Sequence, residues 1–136
     1  MLKQFQNPLA LAARVLMALL FLPEGIDKIR EFSGTAGYIA AAGLPLPELG
    51  VALAIVVEVG GSLALLVGFQ ARWVALVMAI FTVATGFFFH KFWAVPTDQA
   101  MLEHIMFFKD MAIAGGLLMM VAFGPGSWSF DAKSGT

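Results

Sequence analysis

Cysteine is absent from this chain of 136 residues. Without cysteine the protein forms no disulfides, thiolate metal sites, cysteine-ligated iron–sulfur clusters or covalent c-type haem. Any redox group that it uses must therefore be borrowed from another molecule. Histidine and carboxylate spacings typical of a metal site are also missing, so we predict no metal ligands. The net charge of −1 provides no basic field, which excludes nucleic acid as a partner.

Charge of either sign is scarce. Charged residues make up 12% of the sequence, against about 25% in an ordinary soluble domain. Hydrophobic residues make up 60%. A soluble fold of this size covers its surface with polar groups, and this chain has too few of them. The hydrophobic excess must face lipid, so the composition predicts an integral membrane protein.

Four apolar segments, separated by glycine and proline, divide the chain. Each is close to the ~20 residues that a helix needs to cross a bilayer. Backbone groups in lipid must satisfy their own hydrogen bonds, and this favours helices. We therefore predict an all-α bundle of four transmembrane helices in a single domain, residues 1–136, with both termini on the same side. The predicted helices cover residues 9–29, 49–69, 73–89 and 105–123.

The orientation of this bundle in the membrane follows less directly from the sequence. The terminal side carries Lys3, Arg14, Arg72 and Lys133, and the opposite side carries Lys28, Arg30, Lys91 and Lys109. Because the two counts are equal, the positive-inside rule gives almost no indication of the orientation. We expect the termini to lie in the cytoplasm.

Pairs of small residues four positions apart occur in three of the predicted helices. Such pairs let helix backbones approach closely in a membrane, where tight packing drives association. They predict close helix crossings rather than chemistry. The pairs are Gly60 with Ala64, Ala75 with Ala79, and Ala112 with Gly116.

Glu58 is the only ionisable residue of the second segment and lies nine residues from its start. At 1.5 Å per residue this is roughly 13 Å, close to the middle of the bilayer. A charge at that depth costs ~2.5–3.5 kcal/mol on insertion scales. The carboxylate must therefore be paired or protonated. It is either a proton-accepting or ligand-binding group, or half of a structural ion pair between helices.

Arg14 lies inside the first segment and is the expected partner of Glu58. At 3.6 residues per turn, Arg14, Phe21, Gly25 and Lys28 share one helix face. A face with a cation at each end is expected to look into the bundle. Alternatively, the long side chain of Arg14 extends to the nearby membrane interface.

Polar residues gather at the end of the bundle opposite the termini. In the first segment Glu24 with Lys28, and Asp27 with Arg30, have the spacings of helical ion pairs. The third connection and the start of the fourth segment add His90, Lys91, Asp98, Glu103, His104, Lys109 and Asp110. We expect Lys28, His90, His104 and Lys109, with Glu58, to converge on one pocket.

A quinone head group needs such a pocket, an apolar slot with one or two donors or proton carriers. The run FFFHKFW, residues 87–93, places a titratable imidazole beside an aromatic wall. The candidate cofactor-binding residues are Glu58, Lys28, His90, Lys109, Asp110 and Arg14. Histidine also ligates haem, but His90 and His104 lie on different elements without a pairing spacing, so haem is not expected. Alternatively, these aromatic and histidine residues are simple membrane anchors.

Several short motifs, in this order and spacing, resemble the DoxX family of small membrane proteins. They are ARVL at residues 13–16, GIDK at 25–28, GLP at 43–45, EVGGSLA at 58–64, KDMAIAGG at 109–116 and GPGSWSFD at 124–131. The similarity covers nearly the whole chain. It implies a multi-pass protein of the bacterial inner membrane with a four-helix fold. It also implies an association with membrane redox, because some members look like subunits of a thiosulfate:quinone oxidoreductase and others belong to oxidative-stress complexes.

Three functions are compatible with these observations. The first is an accessory subunit of a membrane redox system that binds quinone and contacts a redox partner protein. The second is a non-catalytic scaffold that recruits a partner protein. The third is a small transporter or proton path, for which four helices leave little room unless the protein forms a homo-oligomer. No catalytic residue is predicted, because no nucleophile–base arrangement, cofactor motif or extramembrane domain is present.

Overall fold

The computed structural model describes residues 2–135, with side chains from residue 4 onward. The side chain of Lys3 therefore lies outside the described part. Helices account for most of these residues, and no strand occurs among them. Four of the helices are long and apolar enough to cross a membrane. The prediction of an all-α, four-helix membrane fold is confirmed.

The four long helices are Gln6–Arg30 (α1), Pro47–Val67 (α3), Ala71–Phe89 (α4) and Thr97–Phe123 (α5). Two shorter helices, Phe32–Ala41 (α2) and Phe130–Ser134 (α6), follow α1 and α5, and a 3-10 turn, Leu2–Phe5, precedes α1. The sequence prediction had no counterpart to α2. It also placed the start of the last helix at residue 105, because the first two turns of α5 are too polar to register as an apolar segment.

The half of the bundle nearest the termini is tightly packed. Its core consists of Phe21, Leu65, Ala71, Ala75, Met78, Ala79, Ala114, Leu117 and Met120. Ala75 and Ala79 are buried, as their small-residue spacing predicted. Gly60 and Ala112 are exposed, contrary to the prediction, whereas Gly116 faces α1, where a Cβ would lie 2.7 Å from Cε of Met17. In α3 the neighbouring Gly61 faces the bundle instead, and a Cβ there would lie 2.7 Å from Sδ of Met78.

A π-helical turn, Val56–Gly60, interrupts α3 at Glu58. The buried residues of α3 nevertheless keep the helical spacing of three and four residues through this turn: they are Val51, Ala54, Glu58, Ser62 and Leu65. Gly61, three residues after Glu58, therefore lies on the bundle side, and Gly60 does not. Opposite the π turn, α1 comes so close that a Cβ on Gly25 would lie 2.7 Å from Cγ2 of Val59 and 3.1 Å from the Val59 backbone nitrogen. Single π turns inside α-helices are frequent at functional sites.

The chain ends fold back on the turn between α3 and α4. We call residues 124–131 the C-terminal clasp. The Asp131 carboxylate accepts hydrogen bonds from the backbone N–H groups of Gln70 (2.7 Å) and Ala71 (2.8 Å), at the start of α4. The backbone N–H of Ser127 donates to Oδ1 of Asn7, 2.9 Å away. The clasp therefore holds the two chain ends on the same side of the bundle, as predicted.

Arg14 is the buried centre of this end, with 1% of its surface exposed. Its guanidinium donates to the carbonyl oxygens of Leu65 (3.3 Å) and Leu66 (3.0 Å), at the end of α3, and to the carbonyl oxygen of Trp128 in the clasp. These are carbonyls that a helix end leaves without partners inside the helix. Arg14 thus joins α1 and α3 to the C-terminal clasp.

The clasp generates a prediction for Asp131→Asn. The amide retains one acceptor oxygen but leaves one of the two N–H groups at the start of α4 without its bond. We expect a loss of about 1–2 kcal/mol of unfolding free energy. The measurement is unfolding of purified protein by SDS titration in mixed micelles, followed by tryptophan fluorescence. Asp98→Asn, in the exposed first turn of α5, is the control; equal effects of the two variants would refute the capping role.

The close approach of α1 to the π turn generates a second prediction. Gly25→Ala puts a methyl group against the Val59 backbone, which has little freedom to move. We expect a loss of about 1–3 kcal/mol from overpacking. Gly115→Ala is the control, because a Cβ at this helical glycine meets no atom within 4 Å and alanine favours the helix. The same SDS titration measures both, and a Gly25→Ala protein as stable as the wild type would contradict the packing.

Candidate functional site

A cavity of about 590 Å³ lies in the half of the bundle opposite the termini. This volume is within the ~300–1,000 Å³ typical of small-molecule sites. The cavity separates α1 and α3 on one side from α4 and α5 on the other, and α2 also contributes to its wall. Most of its lining is apolar. Leu53 of α3 and Phe88 of α4 line it while being about half exposed, so the cavity reaches the lipid-facing surface.

Helix α2 closes the cavity on the side that faces water. Its buried residues Ala36 and Ile39 pack against Val51 of α3. The ring of Tyr38 stacks on Phe89 at the end of α4, with ring centroids 5.2 Å apart. Burial raises the pKa of the Tyr38 phenol, and the carboxylate of Glu103 raises it further. Tyr38 therefore presents a neutral hydroxyl near the cavity.

Glu58 lines the cavity from the π turn, and only 5% of its surface is exposed. Its partner is Lys28 of α1, whose Nζ lies 3.0 Å from Oε2. A carboxylate oxygen has more than one lone pair, so beside its contact with Lys28, Glu58 can accept a further hydrogen bond from a molecule in the cavity.

Lys28 lies between two acids. Besides Glu58, its Nζ lies 3.6 Å from a carboxylate oxygen of Glu24, one helical turn earlier. Asp27 and Arg30 form a second ion pair, at 3.3 Å, on the exposed end of α1. The spacing-based prediction of both helical pairs is confirmed. The exposed Asp27–Arg30 pair contributes little stability, because solvent screens it.

The wall opposite Glu58 carries a second set of titratable groups. His90 ends α4, and its Nδ1 lies 2.8 Å from Oε2 of Glu103 in α5. Its Nε2 lies 3.7 Å from Oδ2 of Asp110, one of the buried residues of α5. Lys109 also lines the cavity, and its Nζ donates to the sulfur of Met106 at 3.2 Å. Five of the six predicted residues thus line one cavity: Glu58, Lys28, His90, Lys109 and Asp110.

Two residues lie elsewhere, contrary to the sequence prediction. Arg14 does not pair with Glu58; it binds backbone carbonyls at the opposite end of the bundle. Lys28, on the same face of α1, lies closer to the π turn and takes its place. His104 does not reach the cavity, because its ring packs between Phe92 and Phe108, with centroids 4.9 and 4.7 Å away.

Sequence reasoning did not identify Tyr38 as a cavity residue or Glu103 as the partner of His90. The segment FSGTAGYIAA of α2 contains no proline, and this was a signal for a helix after residue 31. The contact between Glu103 and His90 could be predicted from the sequence only if α5 were known to begin at Thr97. Glu103 then lies seven residues before Asp110, two turns along the same helix face.

Ion pairs on both walls of the cavity offer donors and acceptors, while most of the remaining lining is apolar. The arrangement suits a largely apolar molecule with polar atoms at its edge. In the described residues, no group of three or more histidine or carboxylate side chains is arranged to hold a metal ion.

The sequence comparisons give related proteins of the inner membrane. The chain is 39% identical over 133 residues to "Inner membrane protein YqjF" of Escherichia coli (strain K12), which covers 96% of this chain and 95% of that protein. It is 34% identical over 125 residues to "Inner membrane protein YphA" of the same organism, covering 92% and 89%. These likenesses and the four apolar helices identify a multi-pass inner membrane protein.

A more distant likeness joins the chain to a eukaryotic protein. The "Surfeit locus protein 4 homolog" of Schizosaccharomyces pombe is 29% identical over 125 residues, which cover 90% of this chain but 36% of that protein. No solved structure shows a significant match. The sequence profile of the DoxX family matches residues 9–91, which include α1, α2, α3 and α4. The chain therefore belongs to the DoxX family.

Proposed function

We propose that this protein binds a quinone in the cavity between its helix pairs and serves as an accessory subunit of a membrane redox system. The observation that carries this proposal is the buried ion pair of Lys28 and Glu58, which places a donor and an acceptor on the wall of an otherwise apolar cavity. A quinone head group is flat and apolar, with a carbonyl oxygen at each end. Lys28 would donate to one carbonyl, and Glu58 would accept from the hydroxyl of the reduced form.

The route into the cavity also suits a quinone. Membrane quinones carry a long apolar tail and remain within the bilayer. Leu53 and Phe88 line the cavity and are half exposed at the surface that faces lipid. A tail would leave the cavity between these residues, while the head group lay beside Glu58.

An accessory role follows from the absence of a redox centre within the sequence. The chain has no cysteine, which excludes thiol chemistry and cysteine-ligated clusters. Electrons for a bound quinone would therefore come from a redox partner protein. We assign no reaction to this chain alone.

The proposal predicts that Glu58→Gln weakens quinone binding. The amide cannot match the carboxylate as an acceptor, and a lost bond to a charged group costs about 1.5–3 kcal/mol, roughly 10- to 100-fold in affinity. Affinity for decylubiquinol, the reduced form whose hydroxyl donates to Glu58, is measured with the purified protein in anaerobic lipid nanodiscs, by quenching of tryptophan fluorescence. The double variant Lys28→Met/Glu58→Gln removes both charges of the buried pair together and should bind as weakly while remaining folded.

Glu48→Gln is the matched control, because it makes the same chemical change on the same helix at an exposed position. It should bind the quinone like the wild type. If Glu58→Gln also binds normally, the site is misplaced. If the wild type binds no quinone, the scaffold function becomes the better explanation.

We further propose that both termini lie in the cytoplasm. Five of the cations lie within the spanning helices and say little about orientation: Arg14, Lys28, Arg30, Arg72 and Lys109. Of the remaining cations, Lys3 and Lys133 lie on the terminal side, and Lys91 lies on the other. This small excess supports a cytoplasmic terminal side.

The absence of native cysteine makes the orientation directly testable. Single-cysteine variants are placed at exposed positions on the two sides, Ser33→Cys in α2 and Ala132→Cys in α6. A membrane-impermeant maleimide applied to intact spheroplasts should label Ser33→Cys and spare Ala132→Cys. Lysed cells, in which both should react, provide the control. The reverse labelling pattern would overturn the orientation.

A further inference from the structure

His90 lies between two carboxylates that differ in their access to water. Glu103, bonded to Nδ1 at 2.8 Å, has 24% of its side-chain surface exposed. Asp110, 3.7 Å from Nε2, has 13% of its side-chain surface exposed and lines the cavity. The three groups therefore form a row that leads from the partly exposed first turns of α5 into the cavity.

An imidazole between two carboxylates is suited to proton transfer. One ring nitrogen can take up a proton while the other releases one, and histidine does this near neutral pH. The Nδ1 contact is already a hydrogen bond. The Nε2–Asp110 distance is slightly longer than a hydrogen bond, so a rotation of the Asp110 carboxylate or a bridging water completes the row.

The other titratable groups near this row have contacts of their own. Lys109 precedes Asp110 on α5 and donates to Met106. Lys28 and Glu58 pair with each other on the opposite wall, and Tyr38 of α2 stacks on Phe89, beside His90. In the described part of the chain, Glu103 and Asp110 are the only carboxylates within 4 Å of the His90 ring nitrogens.

We propose that Glu103, His90 and Asp110 form a relay that carries protons between water and the quinone in the cavity. This inference rests on the proposed quinone site and adds the path of its protons. Reduction of one quinone takes two electrons, from the redox partner, and two protons, and it forms one O–H bond on each quinone oxygen. Asp110 gives a proton to the quinone oxygen on its wall, His90 returns it from Nε2, and Glu103 resupplies Nδ1 from water. The other oxygen takes its proton from the Lys28 ammonium, which donates to it, and Lys28 is then reprotonated from water at the end of α1.

The relay is tested by voltammetry of nanodiscs loaded with decylubiquinone on an electrode, which supplies the electrons in place of the partner. Binding of the quinone is measured on the same samples. At a quinone concentration that saturates each protein, we expect His90→Gln and Glu103→Gln to reduce it about 100-fold more slowly, the lower range for a lost proton carrier. In D₂O the two variants should slow more than the wild type, because proton delivery then limits their rate. Added imidazole should restore the rate of His90→Ala.

The second histidine of the chain provides the matched control. His104→Gln removes an imidazole that packs among aromatic rings outside the cavity, and it should reduce the quinone at the wild-type rate. Normal rates in His90→Gln and Glu103→Gln, with binding intact, would overturn the relay and leave the quinone site standing. A slow His90→Ala that imidazole does not rescue would make His90 structural and also overturn the relay. A wild type that binds no quinone would remove both proposals.

Discussion

The ion pair between Lys28 and Glu58 is the interaction on which the rest of the structure depends. An isolated charge inside a bilayer costs ~2.5–3.5 kcal/mol on insertion scales, so neither group is tolerable there alone. Their 3.0 Å separation requires α1 and α3 to meet at one register. Gly25 permits that register, because any larger residue would meet the backbone of Val59. The pair and the glycine together fix where the cavity begins.

The two ends of α1 explain why the bundle is tightly packed at one end and contains a cavity at the other. The guanidinium of Arg14 donates hydrogen bonds to backbone carbonyls of α3 and of the C-terminal clasp, and small residues fill the space around it. Lys28, about four turns further along the same face, meets carboxylates instead. Carboxylate side chains are larger than alanine and carry charge. The helices around Lys28 therefore cannot approach each other as closely as they do around the alanines of the core. The cavity follows from this change of partner along one helix.

The sequence predicted the apolar spans and the buried acid well, since both depend on composition and on the cost of charge in lipid. It predicted the partner of Glu58 wrongly, because Arg14 and Lys28 share a face and helical periodicity cannot rank them by height. The π turn at Val56–Gly60 also escaped prediction. The sequence did not predict helix α2 or the start of α5, because both lie outside the four apolar segments, where hydropathy gives no signal.

These misses fall around the cavity, and that location has a physical reason. A tightly packed membrane helix follows periodicity, because each turn buries the same face. At the cavity the chain departs from that rule: α2 brings Tyr38 to Phe89, and the polar first turns of α5 bring Glu103 to His90. Each departure adds a titratable group from a segment to which hydropathy gives no signal. The titratable residues inside the apolar spans are therefore predictable from the sequence, and those that the connecting segments bring to them are not.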